Sequence, residues 1–339
     1  MTLRLALHTG QLNRPVPGGI GRYVEGLVAH LPEAGIDVEP FAGGRWRSPA
    51  WQRFRLPPLR LPDGTDVVHA PSLAVPPPGD RPLVVTIHDL AFSYLPPRGE
   101  TFHRRGLDLA RSEAAAVVVP SAFTASQVEA ARFEPGRVHV VAHGIDPPGD
   151  VPDAAVTERL GRLATGDPYL LAVGTVEPRK GLDVLAQAFR TLNGVRLLVA
   201  GPRGWGDVPG LDRPGIGRLG TVSDSLLDAL YRRAVALVMP SHTEGFGLPA
   251  LEAMARGCPV VVSAAGSLPE VVGDAGAVVP PGDPDALAGT LTRVLADDDL
   301  RARLADAGRR RAAGFTWAAC AQGHLAAYEA ALGVRRRHS

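Results

Sequence analysis

Two glutamates and a pair of adjacent cations carry the chemistry that this sequence can do. The segment Pro240-Ser241-His242-Thr243-Glu244-Gly245-Phe246-Gly247-Leu248-Pro249 runs into a predicted helix that carries Glu252. A second segment, Gly174-Thr175-Val176-Glu177-Pro178-Arg179-Lys180-Gly181, brings Arg179 and Lys180 to one strand end. Of 36 basic residues 35 are arginine, and Lys180 is the sole lysine. Where arginine serves everywhere else, a surviving ammonium marks a place that needs a compact point charge instead of a planar fork. Two cations, with the amides of Phe246, Gly247 and Leu248 at a helix start, suit a diphosphate, and the glycines let backbone approach it closely. A carboxylate repels a diphosphate, so the glutamates need other work. On a helix beginning near Gly247, Glu252 lies about a turn and a half along, where it can accept two ribose hydroxyls. Glu244, ahead of the helix, can face a reacting sugar and stabilise an oxocarbenium-like centre. Either glutamate alone is as well explained by a solvated position; the two together in a glycine-rich frame favour the functional reading.

Such loops need strands behind them, because in open parallel sheets ligands bind beyond the carboxyl ends of the strands. Short β-rich runs alternate with helical stretches along the whole chain, the pattern of α/β domains. Strands are expected at Leu3–Leu7, Val67–Val68, Leu83–Ile87, Ala116–Val119 and Val138–Val141, then at Tyr169–Val173, Val195–Ala200, Ala236–Met239, Val260–Val262 and Ala277–Val279. A glycine-rich turn, Pro17-Gly18-Gly19-Ile20-Gly21, is expected to lead into a helix over Arg22–Leu31, with further helices over Thr101–Glu113 and Ala122–Ala131. Asp146–Asp153, rich in Pro, Gly and Asp, is the linker candidate. With 339 residues, two to three times a typical domain, the chain reads as two doubly wound domains, 1–150 and 151–315, followed by a terminal helical segment, 316–339. Trp317, Leu325 and Tyr328 in that segment imply one buried face.

Composition narrows the classes. A net charge of +1 gives no general pull toward nucleic acid, and 45% hydrophobic with 21% charged residues fits a soluble globular protein. Cys258 and Cys320 make no disulfide framework and match no metal-ligand spacing. No apolar run approaches the ~18 residues of a membrane span, and the first eight residues do not read as a signal peptide. Secreted, integral-membrane and disulfide-scaffold readings are therefore set aside, and a cytoplasmic location is expected. Two Asp-x-Asp strings, Asp283-Pro284-Asp285 and Asp297-Asp298-Asp299, follow no strand and read as a helix cap and a helix junction, so no metal is expected. Gly19-Ile20-Gly21 lacks the further glycine of a dinucleotide fingerprint, since Val24 stands there. A Tyr-x-x-x-Lys pair would need tyrosine where Val176 stands. Both points weigh against an NAD-linked oxidoreductase or epimerase. His88 follows an apolar strand, and beside it Asp89 can cap a turn. Its place at a strand end in the opposite domain favours a sugar contact. His69, at a similar strand end, reads as structural or acceptor-side, and His8 ends the first strand without a nameable partner. The segment from Arg45 to Arg60 holds five arginines, three aromatics and no acid; beside the solvated-loop reading, it is a candidate for peripheral contact with an anionic membrane surface or a lipid-linked phosphate. Arg335-Arg336-Arg337 would add to that attraction, though a frayed basic terminus explains it equally.

Glu244-Gly-Phe-Gly-Leu-Pro-Ala-Leu-Glu252 resembles the E-x7-E signature of the family-4 retaining glycosyltransferases, and Gly174–Gly181 resembles that family's phosphate loop. Gly18-Gly-Ile-Gly-Arg-Tyr23, Ile87-His-Asp-Leu90, Pro120-Ser121, Ala142-His-Gly-Ile-Asp146 and Ser267-Leu-Pro-Glu270 follow in the family's order. The resemblance implies a GT-B fold: two Rossmann-like domains facing across a cleft, the acceptor on the N-terminal one, the nucleotide sugar on the C-terminal one, and the terminal helix crossing back. It implies that Arg179 and Lys180 bind the donor diphosphate, Glu252 the ribose, and that Glu244 and His88 sit at the transferred sugar. Gly18 and Gly19 would approach the diphosphate from the other side, Gly174 would line the phosphate loop, and Thr221 and Ser241 would serve the nucleotide side. Many members carry Gly-Arg where Gly174-Thr175 stands here, which leaves Arg179 as the phosphate-binding arginine. The expected activity is metal-independent, retaining transfer of a sugar, mannose among the candidates, from a GDP-, UDP- or dTDP-sugar co-substrate. The acceptor would be a glycan, glycolipid or lipid-linked precursor, with no other cofactor and no nucleic acid. The alternative within the same fold is a catalytically silent nucleotide-sugar-binding module.

Overall fold

Runs such as Val67–Ala70, Leu83–Thr86 and Ala236–Met239 have no alternation of polar and apolar residues, and every residue of each is buried. Strands covered on both faces by helices have this character, and it belongs to parallel sheets. The computed structural model describes residues 2–13, 18–42, 47–149, 156, 158, 161 and 167–338. Its contacts divide the chain into two units, Met1–Gly144 with Thr316–Ser339, and Ile145–Phe315.

The first unit holds β1 (Leu3–His8), β2 (Ile36–Phe41), β3 (Val67–Ala70), β4 (Leu83–Thr86), β5 (Ala114–Val119) and β6 (Val138–Val140) in the sheet order β2-β1-β3-β4-β5-β6. The second holds β7 (Tyr169–Val173), β8 (Arg196–Ala200), β9 (Ile216–Gly220), β10 (Ala236–Met239), β11 (Val260–Ser263) and β12 (Ala277–Val279) in the order β12-β11-β10-β7-β8-β9. All ten pairings are parallel. Read from its first strand outward, the second order is that of a dinucleotide-type doubly wound sheet, which reverses between β7 and β10. In the first unit the reversal falls between β1 and β3. The expected α/β architecture is observed. Two strands absent from the sequence reading, β2 and β9, each lie at one edge of a sheet, as do β6 and β12, which were expected: β2 carries Pro40 and polar residues, and β9 is Ile-Gly-Arg-Leu-Gly. Edge strands need no continuous apolar run, which is why neither announced itself.

The helices of the first unit are α1 (Gly18–His30), α2 (Arg47–Phe54), α3 (Pro97–Glu113), α4 (Ala122–Ala130) and, from the end of the chain, α11 (Trp317–His338). Those of the second are α5 (Leu182–Ala188), α6 (Asp224–Arg233), α7 (Leu248–Ala255), α8 (Leu268–Val272), α9 (Pro284–Ala296) and α10 (Asp298–Ala312). One expectation is corrected here. Gly18, Gly19 and Gly21 form the first turn of α1 rather than a turn ahead of it, with Gly18 alone at positive φ (64°); Pro17 lies outside the described residues. Gly21 and Gly26 are buried, and a Cβ on Gly26 would fall about 2.1 Å from the Trp317 ring, so glycine there lets α11 lie against α1. The Asp283 carboxylate accepts from the amides of Asp285 and Ala286 at the start of α9, and Asp297 caps α10 through Leu300 at 2.8 Å. Both Asp-x-Asp strings are thus helix caps. Of the linker candidate, Asp146–Gly149 is neither helix nor strand, and 150–153 lie outside the described residues.

The terminal helix is tied into the first sheet by a buried polar chain as well as by apolar contact. His324 donates from Nδ1 to the Cys320 carbonyl at 2.8 Å, so its Nε2 accepts from the Tyr23 hydroxyl at 2.6 Å. Tyr23 then accepts from Thr86 (2.8 Å), and Thr86 from His69 Nε2 (2.8 Å). His69 Nδ1 accepts from the Tyr328 hydroxyl at 2.8 Å. Every donor has one acceptor, as fully buried polar groups require. His69 is therefore structural, and Tyr328 is a partner in that chain. The imidazoles stay neutral: burial lowers His324 to about 4, and burial plus the neighbouring histidines hold His69 well below its ordinary value. Burial likewise takes His8 to about 4. A histidine whose folded pKa lies below its unfolded value near 6.5 gives stability that is complete above that pH and is lost as pH falls toward 4. Moving from pH 7 to pH 5 should therefore cost this unit on the order of 2 kcal/mol for each of His8 and His324. Denaturant titrations at the two pH values measure it, and equal stabilities would mean that these rings take up protons as readily in the fold as in the unfolded chain.

Candidate functional site

The loops after β7 and β10 are neighbours because their strands are neighbours, at the point where the second sheet reverses order. The β7 loop ends in a single 3-10 turn, Pro178–Lys180, closed by Gly181 in the left-handed conformation (φ 60°). A Cβ on Gly181 would stand 2.1 Å from the Pro240 carbonyl oxygen, so only glycine lets the two loops touch there. The His242 amide donates to the Arg179 carbonyl at 2.8 Å, lacing the loops together. The stem of Lys180 runs over Gly174, whose Cβ would lie 3.4 Å from Lys180 Cε.

This local geometry delivers four charged side chains to one place. Lys180 Nζ donates to Glu244 Oε1 at 2.6 Å and Arg179 Nη1 to Glu244 Oε2 at 3.0 Å. The Ser241 hydroxyl also donates to Glu244 Oε1, at 2.8 Å. Arg179 turns its other edge to Glu177, with Nε at 3.0 Å and Nη2 at 2.9 Å from Oε1. Both carboxyl groups are buried and both cations nearly so. Burial by itself pushes the Glu244 carboxyl up, but Lys180 and Arg179 outweigh it and hold the group at about 2. At Glu177 burial prevails over Arg179 and Lys180, and its carboxyl is raised.

The backbone under Glu244 is fixed from the next loop. Ser267 donates its amide (2.9 Å) and its hydroxyl (3.1 Å) to the Glu244 carbonyl, and the hydroxyl also reaches the Phe246 carbonyl at 3.0 Å. A Cβ on Gly266 would stand 2.2 Å from that same Glu244 oxygen. Gly247, at φ 102°, caps α7, and Phe246 is buried edge-on against Phe315 at 6.0 Å. Leu248 is the first residue of the helix.

Comparison with known proteins assigns this arrangement to a family. The pattern described as Glycosyl transferases group 1 matches residues 158–311, and that described as Glycosyltransferase Family 4 matches residues 40–148. The D-inositol 3-phosphate glycosyltransferase of Acidothermus cellulolyticus is 30% identical, over 98% of this chain and 90% of the relative. The chain belongs to the family-4 glycosyltransferases. An O-antigen chain mannosyltransferase of Escherichia coli is 43% identical over 48% of this chain and 45% of its own, so the chain spans about half the length of that relative. Among solved structures, sucrose-phosphate synthase of Thermosynechococcus elongatus superposes with a TM-score of 0.78 at 23% identity, over 96% of this chain and 98% of that one. HepE of Anabaena, solved with UDP and glucose, gives 0.73 at 19%, over 95% and 98%. These likenesses establish the GT-B fold.

Within this chain the residues expected from sequence fall into three groups. Arg179, Lys180, Ser241 and Glu244 are in direct contact, with Gly174 beneath the lysine stem. Glu252 is buried on α7, where Oε2 accepts from the Tyr231 hydroxyl at 2.8 Å. Thr221 is exposed at the end of the edge strand β9, and no contact described here ties it to the cluster. In the first unit, Gly18 and Gly19 are exposed at the start of α1. His88 donates from Nε2 to the Pro71 carbonyl at 2.9 Å, so its Nδ1 accepts from His143 Nε2 at 3.3 Å. Asp89 caps the turn that follows, through the Ala91 amide at 3.1 Å. Among the described residues no group of three His, Cys, Asp or Glu side chains could hold a metal ion. Sequence reasoning missed the work of Glu177, Tyr231, Gly266 and Ser267. Glu177 and Ser267 lay inside motifs already singled out, and their charge and hydroxyl next to fixed loops were the available signal.

The pairing has a pH signature. Glu244 has a folded pKa below its ordinary 4.5, so its contribution to stability is complete above that pH and is lost as pH falls toward 2. Glu244→Gln should destabilise the protein by roughly 3 kcal/mol at pH 7, because it leaves the largely buried Lys180 ammonium without its carboxylate and Arg179 with Glu177 alone. The gap to the wild type should narrow between pH 4.5 and pH 2 in unfolding titrations; a gap that stays constant over that range would show that Glu244 is not the titrating partner.

Proposed function

We propose that this chain is a retaining glycosyltransferase that moves a sugar from a nucleoside-diphosphate donor to a hydroxyl acceptor. The observation that carries this reading is the convergence of Lys180, Arg179 and Ser241 on Glu244 at the strand-order reversal of the second unit. Breaking the bond between the anomeric carbon and the diphosphate oxygen leaves its electron pair on the diphosphate and positive charge on the sugar. The acceptor hydroxyl then bonds to the anomeric carbon and gives up its proton. A catalyst must offer cations to the first fragment and a carboxylate to the second. In the described structure these groups answer one another: two cations stand against two carboxyl groups. A bound diphosphate competes for Lys180 and Arg179, and each bond it takes from Glu244 leaves that carboxylate free to face the sugar. The leaving charge is met by Lys180, Arg179 and the amides at the start of α7, so we assign no metal ion to the step. We assign Glu252 to the ribose, where its carboxylate would accept a hydroxyl. A sugar contact by His88 requires one ring nitrogen to be released from Pro71 or His143.

Chemistry and kinship support a choice among donors. The relatives are named for mannose and for inositol 3-phosphate, and HepE was solved with UDP, so GDP- and UDP-sugars lead the donor candidates. Thermal-shift measurements with GDP, UDP, dTDP and ADP, chelator present, identify the base; a ligand at about 100 times its Kd stabilises by about 2.7 kcal/mol. Lys180→Ala should keep the fold and lower turnover at least ~100-fold. Near-normal turnover would remove Lys180 from the diphosphate.

The basic segment is narrower than its sequence implies. Arg45 and Trp46, and the side chain of Arg47, lie outside the described residues, as do the side chains of Arg335, Arg336 and Arg337. Arg55 faces inward, donating to the Val75 and Pro76 carbonyls and pairing with Glu113, and Trp51 is buried with its Nε1 on the Pro57 carbonyl. Arg53, Phe54, Leu56 and Arg60 remain exposed, Phe54 at 62% and Leu56 at 58%. Among the described residues no helix is long and apolar enough to cross a membrane. We assign to this patch a peripheral contact with anionic lipid, which would bring a lipid-linked acceptor within reach. Replacing Arg53 and Arg60 by Ser together with Phe54→Ser should abolish sedimentation with phosphatidylglycerol vesicles, whereas undiminished sedimentation would end this assignment.

A further inference from the structure

Glu177 presents a contradiction that the diphosphate reading leaves unresolved. Its carboxyl is 2% exposed and lies against the cations meant for an anion. As a charge it repels a diphosphate, and burial makes it costly to ionise. For binding alone a neutral residue would serve better, so its place calls for a geometric account.

The hydrogen bonds supply one. Glu177 Oε1 takes the Nε and Nη2 edge of Arg179, at 3.0 and 2.9 Å, and leaves Nη1 to Glu244 and to the Thr243 carbonyl at 3.1 Å. The two attachments differ in kind. Glu177 and Arg179 belong to one loop, joined within the turn whose Lys180 amide donates to the Glu177 carbonyl at 3.1 Å. The Nη1 bonds cross to the β10 loop, and the one to Glu244 is what a diphosphate displaces. An arginine released from Glu244 has several rotatable bonds to order, and a fixed carboxylate on its far edge removes most of that cost.

We propose that Glu177 is the positioning residue of the donor site: it holds the Arg179 guanidinium in place while its Glu244 bond is exchanged for a diphosphate oxygen. The inference rests on the diphosphate reading of Arg179 and Lys180. Its test is calorimetric titration with the nucleoside diphosphate that stabilises the wild type most, applied to Glu177→Ala, Glu177→Gln, Arg179→Ala and the Glu177→Ala/Arg179→Ala double variant, with circular dichroism to check folding. Removing a group that orients a ligand-binding side chain costs roughly 10–100-fold, and Glu177→Ala should weaken binding by that much. Glu177→Gln, whose amide oxygen can still accept from Nε, should recover most of it. The double variant should bind within about twofold of Arg179→Ala, because a residue that acts through Arg179 has nothing left to position. Tighter binding by Glu177→Ala, or losses that multiply in the double variant while the wild type binds normally, would overturn the positioning role and leave the donor reading standing. A wild type that binds no nucleoside diphosphate would overturn the donor reading itself, and this inference with it.

Discussion

An ammonium 2.6 Å from a buried carboxylate, with a guanidinium on the other oxygen, is the interaction around which the second unit is arranged. Such a cluster is a poor way to stabilise a protein. Moving the charges out of water costs several kcal/mol each, and their attraction regains that only when geometry and further hydrogen bonds are right. Here the geometry is maintained at evident expense. Gly181 and Gly266 each stand where a methyl group would collide with backbone, and Ser267 spends its amide and hydroxyl on the carbonyls beneath Glu244. A fold that needed only cohesion would fill this volume with apolar side chains. On the proposed function, the charges are kept because they meet the fragments of a cleaved nucleotide sugar, which carry the matching signs.

The sheet explains why this happens at β7 and β10. Adjacent strands whose helices depart to opposite faces leave a crevice at their carboxyl ends. The order β9-β8-β7-β10-β11-β12 places that reversal between the two strands whose following loops hold Lys180 and Glu244. The residues lie 64 apart in sequence, yet the pairing of Ala236 with Leu170 and Leu237 with Leu171 makes their loops neighbours. The placement of the two loops is thus a consequence of strand order.

Much of this was legible beforehand, and for identifiable reasons. The central strands are unbroken apolar runs, so their existence and ends could be read to within a residue or two. The edge strands β2 and β9 could not, since polar residues and glycines satisfy an edge as well as a loop. In the site, Lys180 stood out as the sole lysine and Glu244 by its setting, but the sequence does not reveal that the two are bonded to each other. Spacing shows which residues share a loop; it does not show how the charges of two loops offset one another. His324 was hidden for a related reason: a buried histidine looks like any other until its partner Tyr23, 301 residues away, is placed beside it.

The two units solve the problem of buried polarity in opposite ways. In the first, His69, His324, Tyr23, Tyr328 and Thr86 form a neutral chain in which each hydrogen has one acceptor, so nothing is gained by admitting a ligand. That chain can anchor the terminal helix permanently. In the second, the groups are charged, and a carboxylate held by two cations is satisfied only until a stronger anion arrives. On the proposed function, a diphosphate carries more charge than Glu244 and can take both cations at once, which favours the exchange for a ligand of that kind. Selectivity for a diphosphate would then arise from displacing an internal competitor, since a weaker anion must pay the same cost of freeing Glu244 with less to offer in return.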